Sequence, residues 1–244
     1  MDSTRRAIRF QNLDSKKSII VFWLVVLAAN IFFYIMNFYS DNMYAGISNG
    51  INGIRQLSVA GSNMMSIIVY FIVYSYLMYY ESFPIAIGFS VTRKDFFKSL
   101  IVNNILVSFI FAIIQGILLK LDPIFVRMID REPLLDFMLF HTTKDNLIFI
   151  IFSLFFFFLV VVSATNLLGA LNYRFGYKIW IILGAMLVFG VTFKMIKSIV
   201  FFLNELIIFR INAFQVLILS VVISICYALG YFLTINTNIK NKIA

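Results

Sequence analysis

Five stretches of this chain carry no charged residue, and each reaches the roughly 20 residues needed to cross about 30 Å of hydrocarbon: Ser18–Tyr39, Gly61–Tyr80, Ser99–Leu119, Leu147–Leu171 and Ile211–Ile235. A backbone inside lipid must satisfy its own hydrogen bonds, so each is expected to be an α-helix. A sixth apolar run, Tyr177–Phe193, is shorter, about 26 Å of helix, and Lys194 and Lys197 end it. The piece after it, Ser198–Phe209, is interrupted by Asn204 and Glu205 and is too short to cross, so a re-entrant or interfacial segment is expected. The expected fold is an all-α polytopic membrane protein with six transmembrane helices, at 18–39, 61–80, 99–119, 147–171, 177–193 and 211–235. These form one domain, 18–244, behind an N-terminal segment, 1–17.

Composition agrees: 62% of the residues are hydrophobic, against roughly 45–50% in soluble domains. A net charge of +9 in a soluble protein would point to nucleic acid. In a membrane chain it is the ordinary excess of Lys and Arg at membrane boundaries, and no nucleic-acid partner is expected. Arg5, Arg6, Arg9, Lys16, Lys17, Arg93, Lys94, Lys98, Arg174, Lys178, Lys240 and Lys242 fall in one set of connections and termini. The opposite set carries Asp122, Asp130, Glu132, Asp136 and Asp145 in its longest loop. The positive-inside rule then places both termini in the cytoplasm, with Lys194, Lys197 and Arg210 running against it. No small-residue cleavage pattern follows Tyr39, so the first run reads as a retained span. Cys226, the one cysteine, lies in the last run and reads as a small apolar residue.

The segment Glu81–Ser99, between the second and third runs, is apolar and basic at once. Pro84 and Glu81 argue that the second span stops there. Ser82 is suited to cap a short helix and Gly88 to end it, while Thr92 with Asp95 reads as a capping box for the third span. Phe83, Ile85, Ile87, Phe89 and Val91 would meet water unless covered. Two readings stand: an amphipathic piece in the headgroups with Arg93 and Lys94 on lipid phosphate, or a surface docked into a cytoplasmic partner.

Other constellations also keep two readings. Met1–Lys17 is an interfacial basic helix or a plain basic tether. Ser40–Ala60, rich in Gly and Asn, is a loose outer loop or a short interfacial helix. The in-span amides Asn30, Asn37, Asn103, Asn104, Gln115 and Asn166 either line a pathway or bond between helices. No Asp, Glu, Lys or Arg stands at mid-span, which weighs against an ion-coupled transporter. The single histidine, His141, has no second His beside it, so a metal site or Ser–His dyad in the membrane has no material. No G-x-x-x-x-G-K-[ST] occurs, so any ATP that drives this chain is bound by another polypeptide, and no cofactor is expected.

This plan resembles that of the type-2 ABC exporter permeases. Ser90-Val91-Thr92-Arg93-Lys94-Asp95-Phe96-Phe97 resembles the basic turn that opens the third span in small Gram-positive-type members, and Asn172-Tyr173-Arg174-Phe175-Gly176 resembles their inner turn between spans four and five. The resemblance implies a plasma-membrane subunit that works with separate ABC ATPase subunits and with a second permease copy or a related chain, among membrane lipid. It implies that Ser82–Phe89 is a coupling helix seated on the ATPase, with Ser82, Phe83, Ile85, Ile87, Phe89, Arg93 and Lys94 as the contact. It also implies that Met1–Lys17 is a connecting helix and Ser198–Phe209 an external re-entrant cap. The function expected is export of an amphipathic peptide, antimicrobial compound, drug or lipid, with no covalent chemistry in this chain. The alternative is a non-transporting membrane immunity or scaffold protein that binds a peptide. An intramembrane enzyme fails for want of histidines and mid-span carboxylates, and a passive channel lacks a filter motif.

Overall fold

The structure, a computed structural model, describes residues 3–39, 46–51, 54–137, 139–192 and 213–237. The expected re-entrant segment, Ser198–Phe209, lies outside the described residues. The described residues are largely helical, and among them five helices are long and apolar enough to cross a membrane.

Helix α1, Ser3–Tyr39, is continuous through the boundary expected at residue 17. The reason is local: no Gly or Pro interrupts Ser3–Tyr39, and nothing else breaks the i→i−4 ladder. Over its described residues, the connection expected to be a loose loop or a short interfacial helix is neither. It is an antiparallel hairpin of β1, Ile47–Ile51, and β2, Ile54–Ser58, with Ile47 opposite Ser58 and Ile51 opposite Ile54. The sequence between the strands is Asn-Gly, the strongest short hairpin signal, flanked by β-branched isoleucines. A two-residue strand, β3, Glu132–Pro133, adds in parallel to β2, and Leu134 N donates to Leu57 O at 2.8 Å.

Helix α2, Val59–Leu77, ends before Pro84, but the helical run it begins does not. A π-helical turn, Met78–Ser82, carries it into α3, Phe83–Gly88, where Pro84 occupies the first turn. Phe83 N bonds back to Met78 O, and Pro84 follows where the hydrogen-bond register changes, so its missing N–H costs little. Ser82 makes no side-chain cap. α3 ends instead in a Schellman turn: Val91 N bonds Ala86 O at 3.1 Å and Ser90 N bonds Ile87 O at 3.0 Å, with Ser90 left-handed at φ 59°. Thr92 then caps α4, Arg93–Met128, its hydroxyl accepting from Asp95 N at 3.1 Å.

α4 overruns its expected end at Leu119 and carries Lys120, Asp122 and Pro123 inside the helix. Helix α5, Leu147–Phe175, stops at Gly176, whose φ is 66°. After it come α6, Lys178–Thr192, and α7, Ala213–Ile235. α6 has 15 residues and is not among the five crossing helices.

Side-chain pairs fix the helix directions. Ser15 with Asn103, Trp23 with Phe111 and Tyr34 with Asp122 make α1 parallel to α4. Tyr74 with Asn103 and Asn63 with Gln115 make α2 antiparallel to α4, and Arg93 with Ile235 and Asn104 with Tyr227 do the same for α7. Phe71 with Phe158 and Tyr79 with Asn166 make α5 parallel to α2. The bundle therefore has a hairpin end and an α3 end. Both ends of the described chain lie at the α3 end, since Ala7 borders Ala86 and Ile235 meets Arg93.

The core is aromatic, with the rings of Phe22, Trp23, Tyr70, Phe71, Phe111 and Phe158 meeting across α1, α2, α4 and α5. The outward faces of α1 and α7 are apolar and exposed, as at Leu24, Phe32, Leu217 and Phe232. That pattern suits lipid on the outside.

Candidate functional site

The α3 end gathers most of the residues singled out in the sequence. Phe83 is fully buried, its ring 5.0 Å from Phe96 on α4 and 5.6 Å from Tyr173 on α5. Both contacts are close to edge-on, the arrangement aromatic quadrupoles favour. Phe83 is therefore an anchor and not part of the outer surface of α3. Ser82 and Ala86 are buried beside it, and Ile87 packs on the same core. What α3 presents outward is Ile85 and Phe89, 45% and 69% exposed. The side of α3 that carries Phe83 is buried, and among the described residues the other side is open.

The basic residues divide in the same way. Arg93 extends its guanidinium to Ile235 O at 2.7 Å, a cation on the carbonyl end of α7, where the helix dipole favours it. Lys94 is exposed. Of the expected contact set, Ile85, Phe89 and Lys94 are open at the surface, Ser82 and Phe83 are internal, and Ile87 and Arg93 are half-buried. A groove of about 240 Å³ runs between α3 and the start of α1, bordered by Arg6, Ala7, Phe10, Ala86, Phe89 and Val91.

The turn from α5 to α6 meets this end directly. Asn172 Nδ2 donates to Tyr80 OH at 3.1 Å, and Trp180 Nε1 donates to Asn172 Oδ1 at 3.0 Å. Tyr173 lies buried under Phe83. One aromatic and amide cluster thus ties the π turn, α3, α4, α5 and α6 together.

Four of the in-span amides, Asn103, Asn104, Gln115 and Asn166, bond from helix to helix. Asn103 Nδ2 donates to Tyr74 OH at 2.5 Å and to Ser15 Oγ at 3.1 Å, joining α4 to α2 and α1. Asn104 Nδ2 reaches Tyr227 OH on α7 at 3.3 Å, and Gln115 Nε2 reaches Ala60 O on α2 at 2.8 Å. Asn166 Oδ1 accepts from Tyr79 OH at 3.0 Å, near a hydroxyl pair of Ser75 and Thr165 at 2.9 Å. Asn37 Nδ2 bonds within α1, to Phe33 O at 2.7 Å, and Asn30 is buried on the same helix. Such side chains replace lipid contact with interhelical hydrogen bonds, which in hydrocarbon have no water to compete with.

Asp122, expected in the long outer loop, is instead a buried carboxylate of α4, 1% exposed. It accepts from Tyr34 OH on α1, from Ser58 Oγ at 2.6 Å and from Ala60 N at 3.0 Å. Ser58 in turn caps α2, accepting from Gly61 N at 2.9 Å. A negative charge is thereby set at the N-terminus of α2, where unpaired N–H groups favour it. The signal was present in the spacing: Gln115, Leu119, Asp122 and Val126 recur at intervals of four, three and four, one buried face of a continuing helix. Comparison with protein-family models, with curated proteins and with solved structures gives no match.

Proposed function

We propose that this chain is the membrane subunit of an ATP-driven transporter, moved by a separate P-loop ATPase that docks on α3. The observation that carries the reading is the two-sided build of that short helix. Ile85 and Phe89 stand exposed on one side, while Phe83 on the other is wedged between Phe96 and Tyr173. Force on the exposed side would be delivered to α4 and α5 through one buried ring. The absence of any phosphate-cradling motif in the sequence supports a second polypeptide as the ATP-binding part.

The topology supports the same reading. α5 arrives at the α3 end and α7 starts from the hairpin end, an arrangement that suits a sixth span between Phe175 and Ala213. Both ends of the described chain lie on the side of α3, and the basic N-terminus favours the cytoplasm for that side, in keeping with the six-span plan proposed here. Work enters by differential contact with two states of the ATPase and not by chemistry in this chain.

Purification of the tagged chain from its native membrane tests this. The expected result is a stoichiometric P-loop ATPase whose hydrolysis depends on the permease, with both lost in the double variant Ile85→Asp, Phe89→Asp while insertion and thermal stability are kept. Recovery of the chain with no ATP-binding polypeptide would favour a peptide-binding immunity or scaffold protein instead.

A further inference from the structure

Gln11 of α1 is fully buried, and among the described residues neither Oε1 nor Nε2 of its amide has a hydrogen-bond partner. Its place is fixed by its neighbours on the same helix face, Ala7 one turn before it and Ser15 one turn after. Ala7 borders Ala86 of α3. Ser15 Oγ stands 3.5 Å from Tyr74 OH and accepts from Asn103 Nδ2 at 3.1 Å. Gln11 therefore faces the stretch between Tyr74 and Ala86, which contains the π turn Met78–Ser82.

A second orphan lies beside it. Asn103 gives its Nδ2 to Tyr74 and Ser15, while its Oδ1 is buried with no partner among the described residues. Ser15 joins the two amides, since its hydroxyl donates to Gln11 O at 2.7 Å and accepts from Asn103. This small region thus holds two unused acceptors, Gln11 Oε1 and Asn103 Oδ1, and the N–H groups of Gln11 Nε2. Lipid tails and apolar side chains satisfy none of them, and burying such groups unpaired is costly. Room for water adjoins them. Ser15, Met78 and Ser82 border a groove of about 180 Å³, the volume of about six waters at roughly 30 Å³ each. Ser18 and Glu81 at its edge are exposed, so the groove opens outward.

We propose that the joint between α1 and the π turn is a water site. Ordered water drawn from the groove bridges Gln11 and Asn103, each supplying the polar partners a buried water needs. α1 then meets the π turn through water as well as through direct contact. A wet joint lets the π turn and α3 shift against α1 by exchanging water partners, whereas a dry one would have to break buried bonds between side chains. The inference concerns the packing of α1 and needs no ATPase, so it stands or falls separately from the transport reading.

X-ray radiolysis, which makes hydroxyl radicals from bound water in place, tests this on the full chain in lipid nanodiscs. Met78 borders the groove, is 3% exposed and carries a readily oxidised thioether. Met128, 69% exposed near the opposite end, is the reference. In the wild type, Met78 is expected to be oxidised at a rate within about tenfold of Met128, because water lies against it. In Gln11→Leu, which keeps a similar bulk without polar atoms, the ratio of Met78 to Met128 should fall by about tenfold, the change in occupancy that one lost hydrogen bond gives. Met78 oxidised more slowly than that in the wild type means a dry joint and overturns the proposal with no variant needed. A ratio unchanged in Gln11→Leu overturns it too, since the water would then not be held by Gln11.

Discussion

At the scale of single residues, Asp122 and Ser90 show how charge and backbone are placed. The carboxylate of Asp122 is kept in the interior by three donors from α1, the hairpin and the start of α2. Asp122→Ala leaves those donors buried without an acceptor and is expected to cost about 3 kcal/mol, with Asp122→Asn costing less because one acceptor oxygen remains. Unfolding of the purified variants in lipid nanodiscs measures this, and a change within experimental error would mean that water replaces the carboxylate. Ser90 holds a left-handed φ that disfavours any side chain, so Ser90→Gly is expected to stabilise the chain by about 1 kcal/mol in the same assay. Asp122 reads as loop in the sequence because the uncharged run ends at Leu119, although the buried face of α4 continues through it.

At the scale of elements, α3 has one side buried at Phe83 and the other exposed at Ile85 and Phe89. Phe83→Ala would empty the contact between Phe96 and Tyr173 and is expected to cost about 3–5 kcal/mol, the range for deleting a buried ring. Ile85→Asp and Phe89→Asp change exposed side chains and are expected to leave stability within about 0.5 kcal/mol. Thermal unfolding of the three variants separates anchor from surface, and a Phe83→Ala variant as stable as the wild type would remove the basis for transmission through that ring. The Thr92 cap was legible because its hydroxyl acts locally on Asp95 N, whereas the stop expected of Gly88 is made by the left-handed Ser90 two residues on. The burial of Phe83 was not legible. Alternating apolar residues in a short segment do not reveal which will meet Tyr173, some ninety positions away in the chain. The continuity of the helical run past Pro84 escaped for a related reason, since a π turn has no composition of its own.

At the scale of the whole molecule, hydrophobic length gave the long helices directly, because lipid permits little else at that composition. The hairpin was hidden by a Gly- and Asn-rich composition that reads as loop until the Asn-Gly pair is set between its isoleucines. The arrangement of the helices came only from pairs distant in sequence, among them Arg93 with Ile235 and Tyr34 with Asp122. Those pairs bring both ends of the described chain to the side of α3. Cysteines at Arg9 and Asn236, both exposed, introduced with Cys226 replaced by Ser, are therefore expected to react with an impermeant reagent from one and the same face, the cytoplasmic one on the orientation proposed above. Labelling of the two from opposite faces would refute the helix order. The central claim is that a separate ATPase moves this chain through α3, and photo-cross-linking from position 89 in the native membrane tests it most directly. The account predicts a covalent adduct with a P-loop ATPase whose yield changes when ATP is bound. Adducts with lipid alone, whatever the nucleotide, would contradict it.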